Sequence, residues 1–117
     1  MKRLITAAAA LMIVGGPAQA EVSEIDGNTL LAICENTAPV SKQWCNGYIL
    51  GVSDMMFDDY LAAKPACARA ALPQSQLVAI VIKDMKDDPK YLHIPARYLI
   101  AGAMVKAFPC RGETGEK

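Results

Sequence analysis

Cys34, Cys45, Cys67 and Cys110 are the residues of this 117-residue chain best suited to chemistry, and oxidative cross-linking is the chemistry their spacing favours. Zinc fits them poorly: no two stand at Cys-x-x-Cys spacing, and His93 is the single histidine. A nucleophilic thiol fits less well still, because an oxidising compartment would pair it. Asp54, Asp58 and Asp59 set acids four and five residues apart. That spacing suits a divalent cation or an acid/base pair, but more commonly a solvated helix face. The glycine-containing loop of an EF-hand is missing from them. A histidine such as His93 suits a pH sensor, or more simply a hydrogen-bonding residue ahead of a helix. The chain has no Gly-x-Ser-x-Gly elbow, no Walker loop, no Gly-x-Gly-x-x-Gly and no second histidine for a triad. The residues therefore predict no enzyme activity, no cofactor and no metal.

Met1-Lys2-Arg3 is a basic start, Leu4–Val14 an apolar run, Gly15-Gly16-Pro17 a break and Ala18-Gln19-Ala20 a small-residue site. This is the pattern of a secretory signal peptide, residues 1–20, cut before Glu21. The run falls short of the roughly 20 apolar residues that span a bilayer. Its style points to the periplasm, with secretion beyond it the alternative, and Glu21 rather than a cysteine after the cut argues against a lipoprotein. Residues 21–117 then form one domain, with 110–117 a flexible tail. Twelve basic residues balance twelve acidic ones, and losing Lys2 and Arg3 leaves the exported part slightly acidic. Nucleic acid and anionic membrane are accordingly not expected as partners.

An even number of cysteines in a small exported chain reads as two disulfides, and helix geometry ranks the pairings. Trp44 to Tyr60 is the central element. Cys45, Tyr48, Ile49, Val52, Met55 and Met56 recur at three- and four-residue steps, which predicts an α-helix running to about Ala62. From Cys45 that helix is roughly 25 Å long. The residues on to Cys67 bring the chain back by at most about 17 Å. A disulfide needs its Cα atoms within about 7 Å, so Cys45–Cys67 would break the helix. A first helix ending near Cys34 lies beside the start of the central one. Cys34–Cys45 with Cys67–Cys110 is therefore the preferred set.

Gly47 and Gly51 share a helix face and predict a groove where another helix approaches, so Gly51→Leu is expected to cost more stability than Ala101→Leu. Trp44 is expected to pack on the disulfide. Met55, Met56, Met85 and Met104 suit core positions, or a soft client groove. Glu21–Ile25 reads as a loose tail. Asp26 or Asn28 caps a helix through Leu30–Cys34, Ala38–Ser41 breaks the chain, and Ser41 caps the central helix. Pro65 stops that helix. Pro73 opens a third helix with Leu77, Ile80, Val81 and Met85 on one face; the run 77–82 also suits a strand, but no other strand is available to pair with it. Asp87–His93 is a polar-aromatic loop. Pro95 opens a last helix faced by Ala96, Leu99, Ile100, Ala103, Met104 and Ala107. The predicted fold is all-α: a small disulfide-stapled bundle of four to five helices without a sheet.

Several pieces in order resemble the Rap/Tai immunity proteins of type VI secretion. They are Leu30-Leu31-Ala32-Ile33-Cys34, Cys45-Asn46-Gly47-Tyr48-Ile49-Leu50-Gly51-Val52-Ser53-Asp54, Pro89–His93 with Pro95-Ala96, and Phe108-Pro109-Cys110. One departure is the Ala-Arg-Ala-Ala-Leu-Pro that follows Cys67, where the family pattern has a proline soon after the cysteine. The resemblance implies a non-catalytic periplasmic protein, often a homodimer, that covers the cleft of a peptidoglycan amidase toxin. Asp87, Asp88, Lys90, Tyr91 and His93 are the expected partner contacts, since they gather charge and rings between two helices; the alternative is a plain connection with Tyr91 and Leu92 packed on the core. A small periplasmic acid-stress chaperone binding unfolded clients is the other functional class the chain suits.

Overall fold

A computed structural model describes residues 15–18, 24–57, 66–67 and 71–110. The basic start and the whole apolar run of the expected signal, the residues on either side of its cut, Asp58 and Asp59, the part of the expected central helix beyond Phe57 and the tail after Cys110 lie outside the described residues. Four α-helices follow in order: α1 (Gly27–Glu35), α2 (Pro39–Phe57), α3 (Gln74–Asp87) and α4 (Ala96–Ala107), with a 3-10 turn at Pro89–Tyr91 between the last two. Among the described residues there is no strand, only an isolated bridge between Asp26 and Pro95. The run 77–82 is helical, with Leu77, Val78, Val81 and Met85 buried. No described helix is long and apolar enough to cross a membrane.

The ends of α1 are set by local hydrogen bonds. The Asp26 carboxylate accepts the Thr29 N–H at 2.8 Å, and that bond holds the Asp26 carboxyl below its ordinary range. Asn36 donates its N–H to the Ala32 and Ile33 carbonyls, while its side chain accepts from Ala38 N–H at 2.8 Å and turns the chain into α2. That helix begins at Pro39, so Ser41 is not its cap as expected. Proline has a helical φ and no N–H to leave unsatisfied, which suits it to the first turn rather than to a break.

The start of α1 is stitched to the approach of α4. Gly27 N–H donates to Ile94 O at 3.1 Å, Asn28 N–H to Leu92 O at 2.9 Å, and Ala96 N–H to Ile25 O at 2.8 Å. Two of the amides that a helix start leaves unpaired thus find protein partners. Glu24 adds an ion pair to Arg97 at 2.8 Å, so Glu24 and Ile25 are not the loose tail expected of them. Arg97 is pushed above its usual value by hydrogen bonds to Tyr98 and Glu24.

Leu30, Cys34, Cys45, Ile49, Val81, Met85, Ile100 and Met104 form the centre of the core. Each large aliphatic side chain buried there contributes about 1.5–3 kcal/mol. The inner line of α2 is Cys45, Ile49 and Ser53; Ser53 is tolerated because its hydroxyl donates to Ile49 O at 2.7 Å. Met55, expected inside, is 54% exposed. Met85 and Met104 are buried, so the four methionines do not line one groove.

Both expected disulfides are present, Cys34–Cys45 with Cα atoms 5.1 Å apart and Cys67–Cys110 with 4.9 Å. Lys42 Nζ donates to Cys34 O at 2.7 Å beside the first. Around the second, Cys67 N–H donates to Phe108 O at 2.8 Å and the Phe108 ring meets Phe57 edge-on at 5.7 Å. The ends of α2 and α4 are thereby joined.

The glycines correct the sequence reading. Nothing lies within 4 Å of where a side chain at Gly47 or Gly51 would begin, and both are exposed, so they form no close helix contact among the described residues. Their four-residue spacing places them on one face, but that face is the outer one. The close approach is at Gly27, where a Cβ would meet Leu92 O at 2.9 Å and Leu92 Cα at 3.0 Å.

Candidate partner-binding surface

The chain between α3 and α4 has a fixed backbone and outward side chains. Tyr91 N–H donates to Asp88 O and Leu92 N–H to Pro89 O, both at 3.2 Å, and Ile94 N–H to Tyr91 O at 3.0 Å. Leu92 is buried and its carbonyl holds Asn28, which pins the segment to α1. Of the two residues whose packing would make this a plain connection, only Leu92 turns inward; Tyr91 is 47% exposed.

The five expected contact residues all lie exposed here. Asp87, the last residue of α3, pairs with Lys83 one turn back. Lys90 Nζ stands 3.8 Å from the Asp88 carboxylate and 4.8 Å from the centre of the Tyr91 ring. His93 Nδ1 is 3.0 Å from Lys90 O, the distance of an N–H donating to that carbonyl. The group offers a phenol, an ammonium, an imidazole and carboxylates in one short stretch. Groups of these kinds can enter hydrogen bonds and ring contacts.

Sequence reasoning did not find the hollow beside it. Ile80, Ala103 and Ala107 floor an open concavity of about 240 Å³ between α3 and α4, and Lys83, Asp84, Asp87 and Lys106 stand around it. Lys106 Nζ reaches across from α4 to Asp84 at 2.8 Å, and that hydrogen bond, with the negative charge of Asp84, raises the Lys106 ammonium above its usual value. The local signals were the Lys83/Asp87 spacing and the small Ala103/Ala107 pair; which helices would meet there was not legible.

A second exposed feature lies on the outer face of α2. Val40, Trp44 and Met55 are exposed there, in line with Gly47 and Gly51. Trp44 stacks on Tyr48 with ring centres 5.2 Å apart. Ile33, Val40, Ser41 and Trp44 border another hollow of about 240 Å³. Of the acidic cluster, Asp54 is exposed, and no group of three or more metal-binding side chains occurs among the described residues.

A family model described as Rap1a immunity proteins matches residues 26–110. The chain matches no curated protein and no solved structure. The matched span opens at the Asp26 cap and closes at Cys110, so it holds all four helices, both disulfides and the exposed segment between α3 and α4. This chain belongs to the Rap1a immunity protein family.

Proposed function

We propose that this chain is a non-catalytic immunity protein of the periplasm that binds and inhibits a peptidoglycan amidase effector of type VI secretion. The observation that carries the reading is the segment Asp87–His93, whose backbone is fixed by the 3-10 turn and by Leu92 while its polar and aromatic side chains face outward. A pre-ordered segment loses little conformational freedom when it enters an enzyme's cleft. Membership of an immunity family supports a toxin as the partner. Export through residues 1–20 and cleavage before Glu21 belong to the same reading, supported by the order of basic start, apolar run and small-residue site. So does a homodimer, which the resemblance to the Rap/Tai proteins implies.

The test is calorimetric titration of the mature chain with an amidase effector from its genomic neighbourhood, alongside an assay of peptidoglycan cleavage. Tight binding with loss of cleavage is expected. If the chain leaves cleavage untouched and instead holds unfolded clients at low pH, it is an acid-stress chaperone and the immunity reading fails.

A further inference from the structure

We infer that the concavity between α3 and α4 is an anchor socket for one uncharged aliphatic side chain of the amidase effector, an inference that rests on the function proposed above. The floor is apolar, made by Ile80 with Ala103 and Ala107, and the two alanines one turn apart leave the space between the helices open. The rim is charged but neutralises itself: Lys83 pairs with Asp87 along α3, and Lys106 pairs with Asp84 across the two helices. A partner that covers this rim therefore strands no unpaired charge, whereas a charged group entering the hollow would have to break one of the pairs and shed its own water. An aliphatic group is the occupant the site does not penalise. An apolar centre ringed by polar groups that exclude water is also the anatomy of the few positions that dominate an interface.

Position argues for the same partner. Asp87 belongs both to the rim and to the exposed segment, and Asp88, Lys90 and Tyr91 follow it directly, so an enzyme seated on that segment lies over the hollow. The segment and the socket form one continuous surface.

Ala107 allows the socket to be filled without disturbing the core, because it is exposed where Ala103 is buried. Ala107→Phe should weaken binding of the inactivated amidase at least about tenfold with an unchanged melting temperature. Ala32→Phe, an equally bulky change on the exposed side of α1, should bind as the wild type does. Full affinity in Ala107→Phe, while Asp88→Ala/Lys90→Ala/Tyr91→Ala binds weakly, overturns the socket and leaves the proposed function standing. Absence of binding by the wild-type chain overturns both. Should Ala107→Phe prove unstable, Ile80→Asp decides in its place, provided its circular dichroism matches that of the wild type: a carboxylate on the half-buried floor must disfavour an aliphatic anchor, and undiminished affinity removes the socket.

Discussion

Gly27 and Leu92 come so close that a Cβ on Gly27 would stand 2.9 Å from the Leu92 carbonyl oxygen. The same carbonyl accepts the Asn28 N–H, so it cannot retreat without losing a hydrogen bond. A Cβ there would also run into Leu99 Cδ1, but that is the end of a side chain and can swing away. The backbone contact sets the cost. Gly27→Ala should lose about 1–3 kcal/mol, read from urea unfolding at unchanged m-value.

At Gly51 the sign reverses. An exposed glycine inside a helix with nothing near it gains from a methyl group, so Gly51→Ala should add about 0.5–1 kcal/mol. A lower unfolding midpoint for this variant would show that the outer face of α2 is covered in solution.

Peptide mapping without reduction should recover Cys34 linked to Cys45 and Cys67 linked to Cys110. In the chain-entropy account the shorter loop contributes about 3 kcal/mol and the longer about 4 kcal/mol. Serine at Cys67 and Cys110 should therefore lower the midpoint more than serine at Cys34 and Cys45.

Asp26 predicts a defined acid limb. Its folded pKa lies below the unfolded value because the carboxylate accepts the Thr29 N–H. The stabilisation is then fully present above the unfolded pKa of about 3.9 and disappears as pH falls through the lower folded value. Asp26→Asn keeps an acceptor but removes the charge. The gap in melting temperature between wild type and Asp26→Asn should be constant above about pH 5 and shrink below about pH 4. A gap that does not change with pH would mean that the charge plays no part in the cap.

Replacing Asp88, Lys90 and Tyr91 together by alanine should weaken effector binding and cell protection while the melting temperature stays nearly constant. All three are exposed, and the fold depends here on Leu92. Retained affinity with reduced stability would make the segment structural and send the search for the inhibitory surface elsewhere, first to the acidic face at Asp54.

The helices and the disulfides were legible because both follow from local rules: apolar period gives the inner faces of α1, α3 and α4, and chain reach decides which cysteines can meet. Gly47, Gly51 and Met55 were misplaced for a different reason. Spacing says that residues share a face of α2, not which side of that face meets a neighbour, and Ser53 took an inner position that hydropathy would deny it. Pro39 was ambiguous because a proline both ends one helix and opens the next. The exposure of Asp87, Asp88, Lys90, Tyr91 and His93 follows from the polar composition of their stretch. That Leu92 turns inward and Tyr91 outward goes with a backbone bond from Asn28 N–H to Leu92 O, a long-range contact with no local signature. The hollow at Ile80, Ala103 and Ala107 is a product of packing between two helices, and sequence alone does not align them.

The stitch of Gly27 and Asn28 to Ile94 and Leu92 also governs when the chain can finish folding. A ribosome delivers α1 first, yet its first amides find their protein partners only after the approach to α4 has emerged, most of the chain later. Contacts of such long sequence separation form slowly and late. The stitch therefore cannot close until the approach to α4 has been made, so a chain exported as proposed above would reach its translocation channel before that contact is complete.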